Sequence, residues 1–214
     1  MLKSHKSRKG NSNESQASVP PLGSVVNLTL KFGIALAAFM AMVLPADARF
    51  PDNDSNGQPI QRPDVPSNLQ VPNNQVLLLR TLGHGVQIYD CKATATNSKT
   101  FAYTFRQPQA NLLSDNSKVV GIHGRGPFWA SYDGSRTTGT VKATAPSQNP
   151  LKDIPLLLLN ATSDKGHGIF SQVNFIQRLD TRGGVAPTGT CNPNKKPTIE
   201  VPYSVFYYFY GNIP

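Results

Sequence analysis

The run Ile199-Glu-Val-Pro-Tyr-Ser-Val-Phe-Tyr-Tyr-Phe-Tyr210 decides the fold. Val201, Tyr203, Val205, Tyr207 and Phe209 recur at period two on one face, and Phe206, Tyr208 and Tyr210 occupy the other. Aromatic and β-branched residues in that alternation make a strand, and apolar groups on both sides predict that both faces are buried. Towards the N-terminus the same texture repeats, in short runs rich in Val, Ile, Tyr, Phe and Thr separated by Gly, Pro, Asn and Asp. Strands are expected at Gln75–Arg80, Val86–Ala93, Thr100–Arg106, Val119–His123, Phe128–Tyr132 and Thr137–Ala143, then at Leu156–Ala161, Ile169–Asp180 and Ile199–Tyr210. From Arg49 onward no stretch carries a capped apolar stripe of helical period, and no repeat of fixed period is present. The expected fold is all-β: a single-domain antiparallel β-sandwich or small barrel behind a disordered N-terminal leader.

The leader reads as an address. Lys3, Lys6, Arg8, Lys9 and Lys31 precede an uncharged apolar run, Phe32–Leu44, which ends in the small-x-small signature Ala46-Asp47-Ala48. That pattern predicts a signal peptide over residues 1–48, the apolar run being shorter than the roughly 20 residues of a membrane-spanning helix; an N-terminal membrane anchor is the alternative. Residues 49–74, rich in Pro, Asn, Asp, Ser and Gln, are expected to be an extended linker or lead-in, and 75–214 the all-β domain. The chain is thus expected in a secreted or periplasmic location, with no stable membrane span after processing. Cleavage removes five of 21 cations and two of 12 acids, which lowers the formal charge from +9 to +6. The remaining Lys and Arg are scattered, which argues against a nucleic-acid partner. The two cysteines, Cys91 and Cys191, most simply form one disulfide in an oxidising compartment. A redox pair or two metal thiolates are the alternatives, and neither has the Cys-x-x-Cys spacing that would favour it.

Chemistry-bearing residues concentrate in His123-Gly-Arg-Gly-Pro-Phe-Trp129-Ala-Ser-Tyr-Asp133-Gly-Ser135, which holds the chain's one Trp. A Trp and Tyr platform beside polar groups suits a cyclic polar ligand, the ring stacking while the edges hydrogen-bond. The candidate ligand-binding residues are therefore His123, Arg125, Trp129, Tyr132 and Asp133. The bland alternative is a core Trp beside an Asp-Gly turn. His84, His123 and His167 each adjoin glycine, and three converging imidazoles could hold Zn²⁺ or Cu²⁺ for a hydrolase or redox protein. None of their spacings is that of a ligand pair, so exposed turn histidines are the competing reading and no cofactor is expected. Arg178 and Arg182 could hold an anion between them, with a salt-bridged strand end as the alternative. The sequence contains no G-x-S-x-G elbow, no dinucleotide fingerprint and no P-loop.

Several of these pieces in order resemble a family of secreted proteins catalogued as domain of unknown function 3455. They are Gly85-Val-Gln-Ile-Tyr-Asp-Cys91, Gln109-Ala-Asn-Leu112, the His123–Ser135 segment and Ile154-Pro-Leu-Leu-Leu-Leu159. Ile176-Gln-Arg178 with Gly183-Gly184 and Cys191, and Val201–Tyr210, complete the set. The resemblance implies an exported domain whose two cysteines pair, and it implies no activity. Ala130 stands where the family pattern has an acid, and Leu156 where it has a Trp. The expected function is a binding or surface-interaction module for a small polar or cyclic ligand or a wall polymer. A metal-assisted enzyme and a structural envelope or matrix protein are the alternatives.

Overall fold

The structure, a computed structural model, describes residues 61–164 and 166–212. The expected signal peptide lies outside the described residues. Eight strands run β1 Gln75–Ala93, β2 Phe101–Leu113, β3 Val119–Gly124, β4 Phe128–Ser131, β5 Arg136–Ala145, β6 Leu156–Ser163, β7 Val173–Gly183 and β8 Thr198–Asn212. Each pairs antiparallel with the next, and β8 returns to pair with β1, so the sheet closes into an up-and-down barrel. The closed order leaves no strand without a partner on either side, which settles barrel over sandwich.

Apart from shifts of a few residues at strand ends, the expected strands differ from the observed ones in three places. The first two merge, because β1 continues through Gly83-His84-Gly85 instead of breaking there. A Cβ on Gly83 would stand 2.6 Å from the Tyr207 ring, and one on Gly85 would stand 2.1 Å from the Gln109 carbonyl oxygen. These glycines therefore thin the wall where an aromatic ring and a neighbouring strand press close. β2 runs past Arg106 through Pro108. β3 reaches only as far as Ala110 along β2, so the upper half of β2 has a bare edge on that side, where proline is tolerated. Ile169–Gln172, expected to begin a strand, forms a 3₁₀ turn before β7.

Inward-facing Tyr203, Val205, Tyr207 and Phe209 of β8 pack in the bore with Leu112, Trp129, Leu159 and Ile176. The outward-facing Tyr208 and Tyr210 are buried too, against Leu69, Val71, Leu158 and Leu179. The two-sided burial expected of β8 thus comes from residues 65–71, which cross the outside of the barrel as a strap. Leu69, in a 3₁₀ turn at Ser67–Leu69, is fully buried. Its carbonyl accepts a hydrogen bond from Gln177 Nε2 (2.7 Å), whose Oε1 accepts one from the Tyr210 hydroxyl (2.8 Å). Cys91 and Cys191 form a disulfide that ties the end of β1 to the β7–β8 connection. It closes a loop with a sequence separation of 100, worth about 4–5 kcal/mol in the chain-entropy account.

The two ends of the barrel are built differently. The lower end, at the β2–β3, β4–β5 and β6–β7 connections, is plugged by Phe170 from the turn Ile169–Gln172. That ring is 1% exposed and sits 4.7 Å, centroid to centroid, from Phe209. The upper end carries the β1–β2, β3–β4, β5–β6 and β7–β8 connections.

Candidate functional site

A cavity of about 420 Å³ opens at the upper end. Its mouth lies where the bare edge of β2 faces the β3–β4 turn, so Phe105 and Pro108 stand on one side and Arg125, Gly126 and Pro127 on the other. Trp129, Leu157 and Leu159 supply apolar wall, and Gln87, His123, Arg178 and Tyr207 supply polar groups. An eight-stranded barrel is just wide enough for side chains to fill or for one small ligand.

Each polar group is placed by strand register. His123 and Trp129 are directly paired across β3 and β4, and their rings stack at 4.4 Å with an interplanar angle of 17°. Tyr207 meets the Trp129 ring edge-on at 5.4 Å. Gly139 on β5 makes room for the indole, since a Cβ there would stand 3.0 Å from it. His123 Nδ1 lies 2.8 Å from the Phe128 carbonyl, which can only accept, so Nδ1 carries the proton and Nε2 offers a lone pair. Burial, abetted by the Arg178 charge, lowers the imidazole pKa to about 3 against the pull of that hydrogen bond. His123 is therefore neutral at ordinary pH.

Arg178 points into the bore from β7 and donates through Nε and Nη2 to the Pro155 carbonyl, at 3.1 and 2.7 Å. It forms no ion pair; those among the described residues join Arg80 to Asp115 and Asp90 to Lys92 and Arg106. Burial lowers the Arg178 pKa, with the hydroxyls of Tyr207, Tyr203 and Tyr89 acting in the opposite direction. Burial likewise raises the phenol pKa values of Tyr203 and Tyr207. The Trp129 Nε1 is buried without a hydrogen-bond partner, and the buried hydroxyls of Tyr203 and Tyr207 lie in a polar series that runs from Gln87 through Tyr203 and Tyr207 to Arg178. Native interiors rarely leave a group such as this indole N–H unmatched.

A family model described as a protein of unknown function, DUF3455, matches residues 72–211. The chain belongs to this family. No curated protein and no solved structure matches it. The DUF3455 match takes in all eight strands but for the last residue of β8, together with every residue of the cavity wall, while Leu69 of the strap lies before it.

Within this DUF3455 barrel the five ligand-binding candidates divide between the two ends. His123, Arg125 and Trp129 line the cavity. Tyr132, 70% exposed, and Asp133 sit on the β4–β5 connection at the plugged end. Asp133 Oδ1 accepts from the Ser135 backbone N–H and hydroxyl at 2.8 and 2.5 Å, and Oδ2 accepts from the Ile169 N–H at 2.9 Å. Ser135 Oγ in turn accepts from the Phe170 N–H at 3.1 Å. Burial works to raise the Asp133 pKa, but these hydrogen bonds outweigh it and hold the carboxyl below its ordinary range. Its observed contacts fasten the plug.

The three histidines are not brought together: His84 is exposed on the outside of β1, His167 is exposed in the β6–β7 connection, and only His123 faces the bore. Among the described residues no group of three or more His, Cys, Asp or Glu side chains could hold a metal ion. Arg178 and Arg182 are parted by a β-bulge between Leu179 and Arg182. Arg178 faces the cavity, and Arg182 lines an outer groove beside the strap. The salt-bridged strand end offered as the alternative has no ion pair among the described residues. Gln87 and Tyr207 were not singled out as site residues; both lie at inward positions of the period-two pattern, the one signal that could have found them.

Proposed function

We propose that this protein is an exported binding module that takes a small, ring-bearing ligand into the upper end of its barrel. The observation that carries the reading is the cavity itself. It sets a stacked His123–Trp129 wall beside Gln87, Tyr207 and Arg178, with no acid to pair the guanidinium, the combination of apolar wall and few polar groups by which ligand pockets gain affinity and orientation. His123, Arg125 and Trp129 are the contact residues retained from the sequence, joined by Gln87, Arg178 and Tyr207. A cavity of about 420 Å³ suits a single small molecule better than a length of wall polymer. Export rests on the charged and apolar leader and on the disulfide, which persists in oxidising compartments. The disulfide and the lack, among the described residues, of a helix long and apolar enough to cross a membrane are compatible with that location. N-terminal sequencing of protein recovered outside the cytoplasm should find a new terminus at Arg49. Nucleic acid is not proposed as a partner.

Calorimetric titration of the purified protein with 2-naphthoate and its neutral isostere 2-naphthamide tests the binding reading. Saturable heat at one site is expected from at least one of them. It should be abolished by Val141→Trp, which blocks the half-exposed rim and leaves the core untouched. Absence of binding by both probes, or full binding by the blocked variant, would remove the proposal.

A further inference from the structure

We infer that the cavity takes a monocarboxylate, held head-inward by Arg178 and the Tyr207 hydroxyl with its apolar body against Trp129 and the Phe105–Val141 rim. The inference rests on the ligand-binding reading above and adds the charge and orientation of what is bound.

Arg178 is half-buried, and a guanidinium drawn part-way into a barrel without a counter-ion loses part of its hydration with no carboxylate to replace it. Arg178 spends Nε and Nη2 on a single carbonyl, its other neighbour is the neutral Tyr207 hydroxyl, and no carboxylate meets it. No Asp or Glu lines the cavity, whose other charged groups are Arg106 and Arg125. Arg106 is already paired with Asp90 at 3.0 Å, and Arg125 is exposed on the β3–β4 turn at the mouth. One uncompensated charge therefore stands inside and one at the door, the arrangement that draws an anion in and retains it. A carboxylate matches the guanidinium fork, and a neighbouring phenol can donate to the same head.

The charge inside points to a single negative charge. His123 is neutral, and the buried phenols remain protonated, so Arg178 is the sole interior cation on the wall. A phosphate dianion would leave one charge buried and unmatched. The polarity gradient fixes the direction. Arg178, Tyr207, Gln87 and His123 lie in the bore, whereas Phe105 and Val141, 51% and 52% exposed, form an apolar mouth. Exposed large apolar side chains at a cavity rim are where the hydrocarbon end of a ligand rests.

Calorimetry at pH 7 with 2-naphthoate, 2-naphthamide and 2-naphthyl phosphate decides the matter. The acid is expected to bind at least about tenfold tighter than the amide, since its hydrogen bonds to the guanidinium are charge-assisted on both sides. It should also bind more tightly than the phosphate. Arg178→Gln, which can still donate to the Pro155 carbonyl, should weaken the acid by about tenfold or more and the amide by less, so that the acid-to-amide ratio falls. Arg178→Lys should restore part of the loss. An amide or phosphate that binds the native protein as tightly as the acid, or an Arg178→Gln variant with undiminished acid binding, overturns the monocarboxylate and leaves the pocket standing. Failure of all three probes removes the pocket reading and this inference together. If Arg178→Gln does not fold, the acid-to-amide ratio on the native protein still decides. Tyr207→Phe, expected to weaken the acid several-fold and the amide by less, is the second variant.

Discussion

The two ends of this barrel close the same bore with opposite chemistry. At the lower end Phe170 fills the space against Phe209. The groups around it are matched, with Asp133 accepting from Ser135 and Ile169 and Ser135 accepting from Phe170. At the upper end the space is left open. The groups around it are less well matched: an indole N–H without a partner, and a half-buried guanidinium that meets a carbonyl and the Tyr207 hydroxyl but no carboxylate. A filled and satisfied end contributes to folding; an open and unsatisfied one costs folding energy and is retained where a ligand completes it. The contrast places the well-matched packing at one end and the proposed binding at the other, and it can be broken by experiment.

The largest effect belongs to the plug. Phe170→Ala should lose about 3–5 kcal/mol of unfolding free energy, because a fully buried ring leaves a cavity that the barrel wall cannot collapse into. Denaturant titration measures it, and a loss below about 1 kcal/mol would mean that the lower end is not the stabilising one. His123 comes next, as a cost carried by the open end. Its folded pKa of about 3 lies below the ordinary 6.5, so between those values the unfolded chain binds a proton that the native protein does not. Stability should therefore fall as pH drops below about 6.5, by as much as about 1.4 kcal/mol per pH unit. Asp133, also depressed, acts in the same direction only at lower pH, so the window from pH 7 to 4.5 isolates the histidine. His123→Gln should flatten the slope there; parallel curves for the two proteins would refute the assignment. The smallest effect is that of Asp133→Ala. It should cost about 1 kcal/mol, discounted for the exposure of the carboxylate, and should leave 2-naphthoate binding unchanged. Weakened binding in that variant would reunite the two ends that the structure separates.

The architecture was legible from the sequence because its signal is local. Period two in Phe101–Phe105 and Val201–Tyr210 needs no knowledge of partners, and the burial of both faces of β8 follows from aromatic residues on both sides. The choice between sandwich and barrel was not legible, since it depends on whether β8 returns to β1, a pairing between the two ends of the domain. The strap was hidden for a different reason. Leu69 and Val71 are isolated apolar residues in a polar, proline-rich stretch, and such residues show their worth only once the Tyr208–Tyr210 face is in place. The site was half visible. His123 and Trp129 are near neighbours in the chain, and register makes them a stacked pair. Asp133 lies just beyond them in the chain, but the short β4 carries it to the opposite end. Arg178 and Tyr207 reach the cavity from strands that are distant in sequence.

Pairing β1 with β8 also orders events in time. Gln75 is held opposite Asn212, so the seam cannot form until nearly the whole domain has been made or delivered. A chain emerging end-first must keep the long first strand unpaired on one edge while more than a hundred residues follow, and long-range pairing of this kind is slow and exposed to aggregation. Cys191 lies just ahead of the last strand. A truncation that removes β8 would leave an open sheet with two sticky edges. In the intact chain, the last strand to appear is the one that makes the molecule a vessel.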